Sequence, residues 1–307
     1  MKYDFITAKK AKYGVTLICD VLDVRRDAYY KHCSRGVGVR AQEDIVLAEH
    51  IHTIWVNSRH TYGVPRIRVE LAKAGVHVGK DRVGRLFKAS GCVSAHTKVH
   101  RYRKAEKGQA VPNVLDRNFN PDRPGQVWVT DVTYFHVGRQ WAYLVTYMDL
   151  FNREILGWAV SDKVDKELCL KGFRAAVAKS DLPTKGMVVH SDQGSTYMAD
   201  LFKKALTDAG IVQSMSGRGV CWDNACAESF FKTIKTELEK NYWATLEELD
   251  LSVFSYIEGF YNPRRLHSAL GQVSPRDYML AYSCGKGVHI KQSVKERKLA
   301  RKTKESV

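Results

Sequence analysis

Apolar residues in the front third of the chain recur at the spacing of amphipathic helices. In segment 41–56 the apolar residues three or four positions apart are Ile45, Ala48, Ile51 and Trp55. This spacing predicts a helix that needs a partner face. Two shorter helices are predicted over 66–74 and 80–90, with Gly75 between them. A helix, a glycine-containing turn and a further helix outline a helix-turn-helix unit, whose last helix enters the major groove of DNA.

The last of these three helices is strongly basic. Its cations are Lys80, Arg82, Arg85 and Lys88, and its apolar packing residues are Val83, Leu86 and Phe87. The cations are candidate DNA contacts. The alternative is that they are simply solvated residues on the outer face of a three-helix bundle. The segment 96–107 that follows is basic and poor in apolar periodicity, which favours DNA because such a linker can lie along phosphates. Its candidate contacts are Arg101, Arg103 and Lys104.

After Pro124 the periodicity changes from helical to strand-like. β-branched and aromatic residues predict a three-strand meander over 127–135, 141–149 and 154–160. The elements predicted next are a helix over 166–179, a strand over 187–191, a helix over 199–209 and a strand over 211–214. Strands that alternate with helices after a meander predict an α/β fold with a mixed sheet flanked by helices, preceded by a small all-α unit.

These patterns divide the chain into five parts. They are an N-terminal helical segment (1–40), a helix-turn-helix-like DNA-binding domain (41–95), a basic linker (96–123), a catalytic domain (124–283) and a basic tail (284–307). The N-terminal segment contains candidate helices at 14–22 and 26–32, to which no role is assigned. The tail is expected to be disordered and attracted to DNA.

The charge of the chain is concentrated in its two ends. The 307 residues carry a net charge of +16, of which 1–120 contribute +12, 121–280 contribute −2 and 281–307 contribute +6. Basic flanks around a near-neutral centre indicate a polyanionic partner, either nucleic acid or an anionic membrane surface. No apolar run approaches the roughly 18 residues of a membrane-spanning helix, and no secretory signal is evident. We therefore expect a cytoplasmic, nucleoid-associated protein without a membrane partner.

Cysteine usage points to neither a disulfide framework nor a zinc finger. The seven cysteines are odd in number and scattered, and no C-x-x-C pair occurs among them. They are expected to be reduced, ordinary thiols.

Three acidic residues occupy distinctive positions in the predicted catalytic domain. Asp131 lies inside the strand W-V-T-D-V-T-Y, Asp192 directly follows the strand V-V-H-S, and Glu228 lies in W-D-N-A-C-A-E-S-F-F-K. A carboxylate inside an apolar strand is costly unless its charge is neutralised, and a divalent cation would neutralise it. If the first and fourth strands are neighbours, Asp131 and Asp192 converge and a helix carrying Glu228 closes the site. The alternative is that each acid is a cap, turn or surface residue.

Three carboxylates without histidine or cysteine suit Mg²⁺ or Mn²⁺. Two such ions about 4 Å apart can activate a water or hydroxyl and stabilise the leaving oxygen of a phosphodiester. The predicted chemistry is therefore phosphoryl transfer on a nucleic-acid backbone.

The helix that carries Glu228 has one polar and one apolar side. At about 100° per residue, Asn224, Lys232 and Lys235 fall within about 40° of Glu228. We therefore predict that this side faces metal and phosphates, although the two lysines could also be solvated or pair with nearby glutamates. Downstream, Arg265 and His267 could bind phosphate or simply close the domain.

The motifs together resemble a known family. W-V-T-D-V-T-Y, H-S-D-Q-G-S, D-N-A-C-A-E-S-F-F-K-T-I-K and Y-N-P-R-R-L-H-S-A-L-G-x-x-S-P are similar to those of the second-frame (OrfB) transposases of bacterial insertion sequences, whose catalytic domain resembles retroviral integrases. The resemblance runs from the Tyr62-Gly63 region to Pro275. It implies an RNase H-like core, with Asp131, Asp192 and Glu228 as the metal-binding DDE acids.

The resemblance also implies a reaction and partners. In such elements the upstream-frame OrfA protein, which has its own helix-turn-helix and leucine zipper, is usually fused to the OrfB part, and this chain is expected to be the OrfB part. The implied reaction is copy-out and paste-in: nicking at a 3′ end, attack of the freed 3′-OH on the other end, and strand transfer into target DNA. The implied partners are the terminal inverted repeats, target DNA, and further copies of the chain as a dimer or larger assembly.

Two other functions remain open at this point. One is a structure-selective nuclease or resolvase on the same fold, which would share the acids without needing a basic helical front domain. The other is a catalytically silent DNA-binding regulator of transposition, against which the intact acids argue.

Overall fold

The computed structural model describes residues 2–34, 38–95, 111–116, 119–217, 224–238 and 242–285. The N-terminal segment forms three helices, α1 (Lys2–Tyr13), α2 (Val15–Val21) and α3 (Arg26–Ser34). They pack around a small core of Ile6, Ile18, Cys19 and Tyr29. The second and third were predicted, whereas α1 was missed because its sequence is mostly polar and only Ile6 is buried.

The helix-turn-helix-like region consists of α4 (Val39–Asn57), α5 (Val64–Lys73) and α6 (Lys80–Ala89), as predicted. The buried residues of α6 are Val83, Leu86 and Phe87, also as predicted. The predicted packing face of α4 was partly wrong. Its buried residues are Leu47 and Ile51, whereas Ile45 is 56% exposed. The face is therefore rotated from the expected one.

A five-stranded mixed sheet forms the centre of the larger module. Its strands are β1 (Val127–Val137), β2 (Gln140–Asp149), β3 (Ile155–Ser161), β4 (Val188–Ser191) and β5 (Val212–Met215). The spatial order is β3-β2-β1-β4-β5, with the first three antiparallel and β4 and β5 parallel to β1. The expected RNase H-like α/β architecture, with a helical unit before it, is confirmed.

Helices cover both faces of this sheet, because successive residues of a strand point to opposite sides. On one face α7 (Lys166–Lys179), α8 (Ser195–Met198) and α9 (Asp200–Asp208) pack in a core with Trp128 and Tyr147. On the other face, α10 (Ala225–Leu238) and α11 (Leu246–Tyr256) share a core with Val127 and Val129. Helix α7 crosses β3 very closely at Gly157, where an added Cβ would lie 2.3 Å from the Gly172 carbonyl oxygen.

The C-terminal part of the module connects it to the helix-turn-helix-like region. Helix α11, whose N-terminus is capped by the Thr245 side chain, continues into a π-helical turn (Ile257–Tyr261). A 3-10 turn (Ser268–Leu270) and α12 (Pro275–Ser283) follow. Helix α12 was not predicted. The Tyr62 hydroxyl donates to the Arg264 carbonyl oxygen at 3.1 Å and accepts from the Leu266 amide at 3.0 Å. Apolar residues of the two regions belong to one continuous core.

No helix in the described part of the chain is both long and apolar enough to cross a membrane. Most of the predicted basic linker and nearly all of the predicted tail lie outside the described residues.

Candidate active site

The three acids meet where β1 and β4 diverge. Strand β4 pairs with β1 only from Val127 to Val129, so β1 continues past the end of this pairing. Asp131 follows two residues beyond that point, and Asp192 follows directly after the last residue of β4. Because β4 runs parallel to β1, with His190 paired to Val129, Asp192 comes beside Asp131, as expected if the two strands are neighbours. Glu228 lies in the first turn of α10, which packs against β1.

Electrostatics links the three carboxylates. The pKa of Asp131 is raised to about 8, first by loss of hydration and then by the charges of Asp192 and Glu228. The Val132 amide and Lys235 act in the opposite direction. Loss of hydration also raises the pKa values of Asp192 and Glu228. The charges of Asp192 and Glu228 therefore both act on the Asp131 carboxyl.

Hydrogen bonds around Asp192 fix the loop after β4. Its Oδ1 accepts from the Gly194 amide at 3.0 Å, and an added Cβ at Gly194 would lie only 3.0 Å from that oxygen. Just before it, the buried His190 ring lies 2.9 Å from the Ser214 hydroxyl and 3.1 Å from the Ser216 hydroxyl. These contacts join β4 to β5 and hold the carboxylate at the strand end.

Asn224 does not have its predicted position. It was expected to face phosphates with Glu228, but it is only 3% exposed and its Nδ2 donates to the Thr130 carbonyl oxygen at 3.1 Å. The prediction was wrong because α10 begins at Ala225, so Asn224 precedes the helical geometry on which the angle was based. Its side chain attaches the start of α10 to β1 beside Asp131.

Lys232 and Lys235 have different surroundings. Lys232 is exposed on α10, as expected for a DNA-contacting residue. The Lys235 ammonium lies 4.1 Å from the ring centroid of Tyr134, which is 51% exposed on β1. Trp141 packs edge-on against Tyr134, with ring centroids 4.9 Å apart. These aromatics were not recognised as site residues in the sequence, where they look like ordinary strand residues.

The basic face of α6 is partly neutralised by α4. Arg82 pairs with Asp44 at 2.7 Å and with Glu43 at 3.0 Å, and Arg85 pairs with Asp44 at 2.5 Å. These two arginines therefore hold the helices together, whereas Lys80 and Lys88 are exposed. The predicted linker contacts Arg101, Arg103 and Lys104 lie outside the described residues.

Arg265 closes the domain, the second of its two predicted roles. Its guanidinium donates to both carboxylate oxygens of Glu237, the shortest bond being 2.8 Å, and both side chains are buried. Burial disfavours the charge of Arg265, but Glu237 outweighs this effect and holds the pKa of Arg265 above its usual value. The prediction that Arg265 reaches a DNA phosphate is therefore wrong, because its guanidinium donors already bind Glu237.

His267 packs edge-on against Tyr261, with ring centroids 4.9 Å apart. Burial, followed by the charge of Arg265, lowers the pKa of His267 well below its usual value, so the imidazole is neutral. It therefore cannot serve as the phosphate-binding cation that its position in the sequence suggested.

The carboxylates fit a hard divalent cation by their chemistry. Within the described residues, no group of three or more His, Cys, Asp or Glu side chains is close enough to hold a metal ion. The donor set is nonetheless suitable, since a cation beside Asp131 would favour the ionised form that its surroundings now oppose.

Family models match most of the chain. Two models, each described as an integrase core domain, match residues 121–221 and 209–275, and a model described as an HTH-like domain matches 41–102. Among solved structures, the magnesium-bound catalytic core domain of HTLV-2 integrase covers 49% of this chain and 93% of its own, at 18% identity and a TM-score of 0.38.

Insertion-sequence proteins are similar over nearly their full length. A 31 kDa protein of insertion element IS600 from Shigella sonnei is 36% identical, with 86% of this chain and 98% of that protein covered. The IS904 transposase of Lactococcus lactis is 34% identical over 76% of this chain and 93% of its own. Transposase InsF of IS3A from Escherichia coli is 30% identical over 91% and 98%, respectively. The chain thus belongs to the family of insertion-sequence transposases with an integrase core domain that includes InsF of the IS3 elements.

Proposed function

We propose that this transposase cuts and joins DNA with Asp131, Asp192 and Glu228 as its catalytic acids. The observation that carries the proposal is the position of Asp131 and Asp192 where β1 and β4 diverge, with the charges of Asp192 and Glu228 both acting on the Asp131 carboxyl. A buried carboxyl whose pKa is raised by neighbouring carboxylates is typical of sites that bind cations and handle charged substrates.

The three carboxylates would hold the metal ions, proposed to be two Mg²⁺ or Mn²⁺. When bound, such ions supply Lewis-acid stabilisation of the attacking and leaving oxygens of a phosphodiester. Asp131 contributes the central carboxylate because both other acids act on its pKa. Asn224 holds the start of α10 against β1, and thereby sets the position of Glu228.

Basic residues around the acids would position the DNA. Lys232 and Lys235 on α10 lie on the side of Glu228, and Lys80 and Lys88 extend the positive surface on α6. Arg101, Arg103 and Lys104 of the linker are proposed to add phosphate contacts. Because such contacts supply affinity and the acids supply chemistry, loss of one acid should abolish turnover and leave DNA affinity nearly unchanged.

The reaction is proposed to run by copy-out and paste-in, with 3′-end nicking followed by strand transfer and no covalent protein intermediate. Two DNA ends must be held together, so the active assembly is at least a dimer. The chain is proposed to work as the OrfB part of a fusion with the upstream OrfA protein, which would recognise the terminal inverted repeats.

A strand-transfer assay tests this function. Wild type, Glu228→Gln and Glu247→Gln are compared on labelled element-end DNA with Mg²⁺, each with and without the upstream protein. Glu247 is an exposed glutamate in the first turn of α11 and serves as the matched control. The expected result is joined product from wild type and control, and none from Glu228→Gln at equal DNA binding.

Other outcomes would contradict the proposal in distinguishable ways. Cutting without joining by the wild type would favour the nuclease or resolvase. DNA binding with neither cutting nor joining, even with the upstream protein, would favour the silent regulator.

A further inference from the structure

A cavity of about 670 Å³ lies where the helix-turn-helix-like region meets the catalytic module. Its lining includes residues of α5, of the β2–β3 turn, of α10 and of the segment after the π-helical turn. The polar lining residues that matter here are Arg66, Arg153, Ser229, Thr233, Arg265 and His267. The three acids are not among the lining residues.

The cavity lining carries more positive charge than negative. Arg265 is neutralised by Glu237, but among the described residues neither Arg66 nor Arg153 forms an ion pair. Arg153 instead donates to the Phe119 carbonyl oxygen at 2.9 Å and contacts the Cys226 sulfur at 2.6 Å. A guanidinium is never deprotonated in proteins, so both cations stay charged.

Arg66 is the cation whose surroundings most clearly call for an anion. It is partly buried, and its guanidinium carbon lies over the Tyr62 ring, 5.4 Å from the ring centroid. Burial, followed by the charge of Arg265, lowers the pKa of Arg66. Glu237 offsets part of this effect but is already paired with Arg265, so Arg66 is a partly desolvated cation without an ion-pair partner of its own among the described residues.

His267 adds a buried hydrogen-bonding group to the same cavity. Its Nε2 is buried and has no partner in the described part of the chain. A neutral imidazole has one N–H donor, which can point towards an anion. Gln272 lines the cavity too, and its Oε1 has no partner among the described residues. Rotating the amide by 180° puts its NH₂ group, a donor, at that position.

The cavity lies on a different side of α10 from Glu228. Ser229 follows Glu228 directly and is therefore turned about 100° around the helix, and Thr233 is turned about 140° from Glu228. The two hydroxyls face the cavity as possible donors to an anion.

We propose that this cavity binds a phosphate group, held by Arg66 with the help of Arg153, His267 and the α10 hydroxyls. The phosphate belongs either to the DNA backbone or to a free phosphate or nucleotide. The first source rests on the proposed transposase function, whereas the second does not. Arginine is suited to this task because its planar donor fork matches phosphate oxygens.

Two variants and one control test the site in the full chain. Arg66→Gln removes the cation, and Thr233→Glu places a carboxylate in the cavity to occupy the anion position. Arg68→Gln is the matched control, because Arg68 is exposed on the same helix and donates to the Val78 carbonyl oxygen. Thermal midpoints are measured with inorganic phosphate and with chloride at equal ionic strength, and DNA affinity is measured against salt concentration.

Phosphate should raise the midpoint of the wild type and of Arg68→Gln, and the rise should be absent in both cavity variants. If the source is DNA, the cavity variants should also bind DNA about tenfold more weakly. In that case the slope of log affinity against log salt should fall by about 0.9, the value for one lost phosphate contact. A lost midpoint shift with unchanged DNA binding would identify a free phosphate or nucleotide instead.

The proposal is overturned if Arg66→Gln matches Arg68→Gln in both measurements. Should Arg66→Gln fail to fold, Thr233→Glu decides by the same criteria. Neither measurement needs catalysis, so an inactive wild type in the strand-transfer assay would reject the proposed function and leave the phosphate site standing.

Discussion

The Lys235 ammonium lies over the ring of Tyr134 at 4.1 Å, and this contact joins the catalytic-side helix α10 to the β1 strand that carries Asp131. The aromatic face attracts the cation and limits where it can move. Lys235 also lowers the pKa of Asp131, so its position matters to the acid as well as to DNA. The ring thus acts as a positioning group for a cation of the site.

Replacing Tyr134 tests this positioning role. Tyr134→Leu should slow strand transfer several-fold, since an exposed cation–π contact contributes about 0.5–1 kcal/mol. Tyr134→Phe keeps the aromatic face and should react at the wild-type rate. The measurement is the single-turnover rate of joining, and equal rates for Leu and Phe would show that the ring does not act through Lys235.

The buried pair Glu237–Arg265 should be a major determinant of stability. Its side chains are 0% and 5% exposed, and the Tyr256 hydroxyl donates a further bond to Glu237 at 2.6 Å. Glu237→Gln leaves a buried guanidinium without its counter-ion, which should cost about 3–5 kcal/mol of unfolding free energy.

Denaturant unfolding measures this cost. The exposed pair Lys204–Asp208 offers a comparison, because Asp208→Asn should change the unfolding free energy by less than about 1 kcal/mol. Similar effects of the two substitutions would mean that the buried pair has no special role.

Asp149 should make stability depend on pH. It accepts from the Gly125 amide at 2.7 Å and the Phe151 amide at 2.8 Å, yet burial raises its pKa to about 6. Asp149 therefore binds a proton more tightly in the folded state than in the unfolded state. The stability that this protonation contributes is lost as pH rises from about 4 through 6. The loss amounts to about 3 kcal/mol for a shift of two units.

Asp149→Asn removes this titration. The unfolding free energy of the variant, relative to wild type, should rise between pH 4 and pH 7, even though the amide can accept only one of the two bonds well. A pH-independent difference between the two proteins would show that Asp149 is ionised in the folded state at pH 4 already.

Gly157 should tolerate no side chain. In Gly157→Ala the new Cβ would lie 2.3 Å from one backbone atom of α7 and 2.4 Å from another, neither of which can move without shifting the helix. We expect a loss of more than about 3 kcal/mol or failure to fold, because overpacking of this kind displaces backbone. Thermal unfolding of both variants measures the difference. Gly79→Ala, with open space around the new methyl group, should cost only a few tenths of a kcal/mol.

Much of the architecture was predictable because the periodicity of apolar residues changes sharply after Pro124. Strands and helices were located within a few residues for this reason. Asp131 was recognisable because an acid within an apolar strand needs a special explanation. The first helix and α12 were missed. The first is mostly polar, and α12 buries only Pro275 and Tyr278, so neither shows a clear apolar periodicity.

Contacts between distant segments could not be predicted. Nothing in the local sequence of Arg265 shows that its guanidinium binds Glu237 rather than a phosphate. The charge run on α6 likewise gave no sign that Asp44 and Glu43 neutralise Arg82, because these acids lie on another helix. Pairing of this kind depends on tertiary packing, which local periodicity does not encode.

The double hydrogen bond of the Tyr62 hydroxyl has a consequence for how the chain matures on the ribosome. Tyr62 is synthesised 202 residues before Arg264, the residue to which it donates. The helix-turn-helix-like region, with the buried residues Ile51, Ile67 and Val83, therefore emerges long before the segment against which it docks. Its docking surface stays uncovered throughout that interval, so a premature stop within the module would release a nascent chain with an exposed apolar face.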